Sequence, residues 1–168
     1  MKRSNLLLWL MPFLLSYQTT AFADTSDIVR QNSISLSLAN KLVAETMSVC
    51  HSKGRHAVVV VLDRGGYVLA IQRDNEVGPH NIDAAIKKAF TALSTKVPSR
   101  QFAENVRNNP ESSNLNTLDS LLLIGGGVPV RLDNEIIGAI AVGGAGGAAN
   151  DEECSLTALA KVMPTVQK

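Results

Sequence analysis

The sequence predicts a mixed α/β domain of the α+β kind, with a mostly antiparallel sheet and helices packed on its faces. Three observations predict it. Short runs rich in Val, Ile and Leu stand in pairs joined by turn residues, as hairpins require. Apolar stripes at helical spacing lie before, between and after those pairs. No internal repeat or long linker divides the chain, and its length suits one domain with a core of its own.

The elements follow in order. Met1, Lys2 and Arg3 form a short positive start, the stretch from Leu6 to Leu15 is apolar apart from Pro12, and Ala21-Phe22-Ala23 places small residues where signal peptidase needs them. This predicts a secretory leader over residues 1–23 and a periplasmic or secreted product. The apolar run falls short of the roughly 20 residues that cross a bilayer, and no second run long enough follows it, so no membrane span is expected after cleavage. Residues 24–33 are polar and expected to be flexible, which leaves the domain proper at 34–168. From Ile34, the residues Leu38, Leu42, Val43, Met47 and Cys50 mark a first helix, with Gly54 placed to end it.

His56 to Leu62 is a β-branched run that reads as a buried strand, and Asp63-Arg64-Gly65-Gly66 turns it into a second strand from Tyr67 to Arg73. After the loop Asp74–Pro79, Ile82, Ala85, Ala89 and Leu93 line a second helix that Pro98 stops. Ser99 is placed to cap a short third helix, and the Asn- and Ser-rich residues 107–119 read as a loop. Leu121 to Ile124 reads as a third strand. A second hairpin, turned at Asp133-Asn134, makes five strands in all. The glycines at 143–147 lead to a last helix from about Asn150 to Val162, with Asp151, Glu152 and Glu153 favourably placed at its positive end.

Charge excludes some functions. The leader carries two of the 16 basic residues and none of the 15 acidic ones, leaving 14 against 15. A near-neutral domain without basic clusters has no footprint for nucleic acid. In an oxidising compartment Cys50 and Cys154 are either a disulfide that closes a long loop or two buried thiols.

The chemistry-bearing motifs are sparse. Neither glycine stretch has the G-x-G-x-x-G pattern in a βαβ unit that a dinucleotide requires; the strand–glycines–helix order at 143–147 resembles an anion nest, but Asp151, Glu152 and Glu153 would repel an anion there, and both stretches read as structural. No HExxH or paired ligand spacing occurs among His51, His56 and His80, so no dedicated zinc site is expected. His80 opens the second helix, ahead of Lys87 and Lys88, and such a corner offers an imidazole to iron and cations to carboxylates. The competing reading is a solvated helix-start residue. His51, four residues after Met47, is a second candidate ligand or a surface residue near a helix end. His56 reads as structural, and Asp63, Asp74 and Glu76 read as turn residues at hairpin ends.

A set of segments in fixed order carries a resemblance. They are Val59 to Ala70, Arg73-Asp74, Ile82 to Ala92, Gly125 to Val130, Ile137 to Gly144 and Asp151 to Cys154. Together they resemble the GlcG/HbpS family of haem-binding proteins, whose domain also ends some cobalamin adenosyltransferases. The resemblance runs from about Ile34 to Val162. It implies a profilin-like five-stranded antiparallel sheet with helices on both faces, a homo-oligomer, and binding of haem, or of iron or another small molecule. Taken with that resemblance, His80 is the expected iron ligand, with His51 as an alternative, Lys88 beside the ligand and Arg73 near a propionate, in a pocket between the second helix and the sheet. Two other readings stay open: a small-molecule enzyme, for instance one that degrades haem, and a ligand-free oligomeric interaction or sensor-accessory module.

Overall fold

The structure is a computed structural model that describes residues 25–163; the secretory leader expected over residues 1–23 lies outside them. Residues up to Arg30 form a unit of their own, whose described part is a single 3-10 turn, Thr25–Asp27, and exposed chain after it. The domain begins at Gln31. Its elements are α1 (Leu36–Ser52), β1 (Val58–Asp63), β2 (Val68–Arg73), α2 (His80–Thr95), α3 (Ser99–Arg107), a 3-10 helix (Pro110–Thr117), β3 (Gly127–Leu132), β4 (Glu135–Gly143) and α4 (Ala148–Val162). The strands run β2-β1-β4-β3 and every neighbouring pair is antiparallel.

The alternation of side chains along a strand builds the core on both faces of this sheet. Val59 and Val61 of β1, with Val128, Val130, Ile140 and Val142, pack against Leu42, Val43 and Met47 of α1 and Ala158 and Leu159 of α4. Val58, Val60 and Leu62, with Ala139 and Ala141, pack on the other face against Ala85 and Ala89 of α2. Burying one such Val or Leu stabilises the fold by about 1.5–3 kcal/mol. Ser35 starts α1 by accepting the Leu38 amide on its hydroxyl at 3.2 Å. Gly54 ends it with φ at +68°, donating to the His51 carbonyl.

The sheet has four strands among the described residues, not the five expected. Leu121 to Ile124 is not a strand and pairs with none; the Leu121 and Ile124 amides donate locally, to the Leu118 and Leu122 carbonyls. Side chains also serve it: the Leu122 amide donates to Thr91 Oγ1 at 2.9 Å, and the Ile124 carbonyl accepts the Ser99 hydroxyl at 2.8 Å. With hydroxyls from α2 and α3 in place, the segment does not need a ladder. The same contact corrects the expected role of Ser99, which is the first residue of α3 and ties the loop down rather than capping its own helix. The stretch read as a loop at 107–119 contains the 3-10 helix, capped by Asn109.

A buried polar knot joins these layers. Lys88 of α2 is 5% exposed and Asp151 of α4 is 3% exposed. Lys88 Nζ lies 2.7 Å from Asp151 Oδ2 and also donates to the Val142 carbonyl at 3.3 Å. Asp151 Oδ1 accepts the Ala145 amide at 2.8 Å. Ser155 donates to the Gly126 carbonyl, and Ser99 Oγ accepts the Gly127 amide. Gly127 must be glycine, because a Cβ there would stand 2.0 Å from the Lys88 carbonyl oxygen. Nearby, Cys50 of α1 and Cys154 of α4 form a disulfide with Cα atoms 5.5 Å apart and a sequence separation of 104.

Two stability outcomes follow from this packing. Lys88→Met strands the Asp151 carboxylate in the interior and is expected to cost about 3–5 kcal/mol. Lys88→Met combined with Asp151→Leu should cost clearly less than the two single changes added together, as read by urea midpoints in a double-mutant cycle. An additive result would show that the two groups do not act as a pair. Cys50→Ala with Cys154→Ala is expected to lower stability by about 4–5 kcal/mol, the chain-entropy value for so long a loop. A midpoint equal to that of the oxidised protein would show that the bond does not constrain the chain.

Candidate functional site

Hairpin register creates the site at one end of the sheet. Val58 pairs with Arg73 on one side and with Gly143 on the other. The residues just beyond those ends are therefore neighbours. The Ala57 amide donates to Asp74 Oδ2 at 2.8 Å, and the Asp74 amide donates to the Ala57 carbonyl at 3.0 Å. The C-terminal turn of α1, closed by the Lys53, Gly54 and Arg55 amides, brings His51 to the same place. His51 Nε2 lies 2.9 Å and 3.0 Å from the two Asp74 carboxylate oxygens. His56 Nδ1 lies 3.8 Å from Asp74 Oδ2, and its Nε2 lies 3.9 Å from Glu76 Oε2. The two imidazoles stand edge to face, with ring centres 6.3 Å apart.

Burial works against the Asp74 carboxylate, but the Ala57 amide and the two imidazoles outweigh it and hold its pKa below the ordinary value. Asp74 is therefore ionised at neutral pH. Behind it, Lys53 and Arg55 both pair with Glu153 of α4, and their hydrogen bonds take the Glu153 pKa down to about 2. The ion pairs and the disulfide fasten the end of α1 to α4.

Two hollows share this corner. One of about 270 Å³ is lined by His51, Arg55, His56 and Asp74. The other, of about 510 Å³, runs from Arg55 and His56 across Val77 and Asn81 to the glycine turn at Gly144 and Gly146. Asp151 holds that turn through the Ala145 amide, so the buried Lys88–Asp151 pair sits behind the wall of the larger hollow. Its volume is within the range of small-molecule sites, about 300–1,000 Å³.

The residues expected at a ligand are dispersed. His80 is exposed at the start of α2, between Gly78 and Asn81, both of which line the larger hollow. Lys88 stands eight residues further along, about 12 Å by helical rise, and is buried with its ammonium on Asp151. It is a structural tie, and its burial takes it away from any ligand carboxylate. Arg73 ends β2 and donates to the Val77 carbonyl at 2.9 Å, steadying the loop before α2. His51 is at the smaller hollow. The face between α2 and the sheet, where the pocket was expected, is filled by Ala85, Ala89 and the strand valines. Near the far end of α2, a hollow of about 300 Å³ is lined by Arg64, Phe90, Leu93 and Lys96 and by none of the expected ligand residues.

His56, Asp74 and Glu76 were legible only as structural and turn residues. Only the strand register, together with the α1 turn, makes them neighbours of His51.

Residues 34–160 match the family model described as "Haem degrading protein HbpS-like". A 15.0 kDa protein from the dhaT-dhaS intergenic region of Citrobacter freundii is 28% identical over 115 residues, which is 66% of this chain and 80% of that protein. Protein GlcG of Escherichia coli K12 is 28% identical over 109 residues, 65% of this chain and 80% of its own length. Among solved structures, the crystal structure of HbpS superposes with a TM-score of 0.77 at 28% identity, covering 84% of this chain and 98% of that one. The family match spans nearly the whole folded domain, from the residue before the α1 cap into the last turn of α4, and the chain belongs to the HbpS-like family.

Proposed function

We propose that this chain is an exported haem-binding protein. The family match over residues 34–160, to proteins described as haem-degrading, carries the reading. The larger hollow supports it in kind. It has the volume of a small-molecule site and apolar and backbone surface at Val77 and the glycine turn, and His80 is exposed in the chain between two of its lining residues, Gly78 and Asn81. Neutral imidazole is a common axial ligand of haem iron. His80 is the proposed iron ligand, and Arg73, at the end of β2 beside this loop, is the proposed partner of a propionate. His51 is the alternative imidazole. The leader pattern and the Cys50–Cys154 bond support export, since disulfides persist in oxidising compartments.

Self-association also belongs to this reading. β2 is an edge strand, and Val68 and Ile71 on it are exposed. Edges of that kind invite pairing with another chain.

The family's description favours a second reading, in which bound haem is consumed. Addition of reductant to the haem complex separates the two: loss of the whole haem spectrum supports degradation, and an intact spectrum supports binding alone. Titration of the purified protein with hemin should give a saturable Soret shift, and its absence would overturn the haem reading. His80→Ala should weaken that binding about tenfold or more and change the band position. If His80→Ala titrates like the wild type while His51→Ala does not, His51 is the iron ligand.

A further inference from the structure

The carboxylate and the two imidazoles at the smaller hollow have a geometry of their own. One oxygen of Asp74 and one nitrogen each of His51 and His56 all lie within 4.8 Å of one another. A tetrahedral ion with bonds of about 2.1 Å sets its ligand atoms roughly 3.4 Å apart. The observed separations, 2.9 Å from His51 to Asp74 and 3.8 Å from His56 to Asp74, bracket that value. Small side-chain rotations about one centre would bring all three donors to it.

We propose that His51, His56 and Asp74 form a binding site for a divalent transition-metal ion of the zinc class. Imidazole and carboxylate together suit borderline ions rather than calcium or magnesium, which take oxygen. The surroundings supply what such sites use to fix their ligands. The Ala57 amide orients the Asp74 carboxylate at 2.8 Å. The Glu76 carboxylate lies 3.9 Å from Nε2 of His56 while Nδ1 faces the site, on the side from which an outer carboxylate, drawn closer, would set the tautomer of a metal-bound imidazole. The His51 and His56 side chains are 48% and 60% exposed, so an ion reaches them directly from solvent. Three protein ligands leave a fourth position open, toward the hollow of about 270 Å³. Without an ion, the same groups hold together as a carboxylate–imidazole pair, so the site does not depend on metal to form.

The inference goes beyond the haem reading and does not require it, because the test uses haem-free protein. The probe is Zn²⁺, titrated calorimetrically into protein that carries no histidine tag, with Co²⁺ absorption as a second readout. The expected result is one ion per chain and cobalt bands of a low-coordinate site. His51→Ala and His56→Ala should each weaken binding by about 10- to 100-fold or more, since losing a ligand does at least what losing an outer-shell partner does. His80→Ala should bind zinc like the wild type. Both altered histidines are exposed, so urea midpoints near the wild-type value are expected and confirm that folding is kept. No stoichiometric zinc binding, or unchanged affinity in both His51→Ala and His56→Ala, would overturn the proposal. Hemin titration of Asp74→Asn, at a residue that lines the smaller hollow and not the larger one, keeps the two readings apart: zinc binding weakened with hemin binding retained marks the metal site as separate.

Discussion

The ion pair between Lys88 and Asp151 is the interaction on which the rest of this domain depends. Two charges taken out of water on facing helices are tolerable only if every remaining donor and acceptor finds a partner. Here the Val142 carbonyl and the Ala145 amide supply them, so β4, the turn after it, α2 and α4 must meet at one point. Gly127 completes the meeting by letting the start of β3 approach the α2 backbone at Lys88, and Gly126, just before it, lies against the Val142 carbonyl and the Asp151 side chain. Above the pair, the glycine turn becomes one wall of the larger hollow. A residue that sequence reasoning placed at the ligand thus serves it indirectly, by shaping the surface the ligand would meet.

That displacement of Lys88 shows what the sequence can and cannot reveal. The strand at Val58–Asp63 is legible because a β-branched run of that length has few alternatives, and α1 and α4 are legible because their apolar stripes repeat at helical spacing. Leu121 to Ile124 misleads because a short apolar run looks the same in sequence whether a neighbouring strand or local turns and a pair of hydroxyls satisfy its backbone. Thr91 and Ser99 lie 31 and 25 residues before the positions they bind, and nothing near the run announces them. A lysine on the inward face of a helix is similarly ambiguous until its carboxylate partner, 63 positions on, is known.

The corner at His51, His56 and Asp74 is illegible for a related reason. Motif spacing reports ligands that share one helix or one turn. These three come from the end of a helix, the approach to a strand and the exit from the next strand. Their proximity is a property of register: pairing Val58 with Arg73 puts positions 57 and 74 side by side, and a slip of one residue would separate them. The disulfide from Cys50 and the paired charges on Glu153 hold the helix end in place, so chemistry at this corner rests on constraints set by α4.

The double duty of β1 has a consequence for how the family can diverge. Val58 to Leu62 have no exposed surface, and successive residues belong to opposite cores. A change at any one of them must be absorbed by a helix on one side while leaving the other side untouched, so substitutions there are confined to side chains of nearly the same volume. β2, one strand away and open to solvent along much of its length, is restricted chiefly at Leu69 and Ala70, which pack against the core. Drift between relatives should therefore accumulate outward from β1, with the sheet's edge free to acquire new contacts while its middle stays fixed.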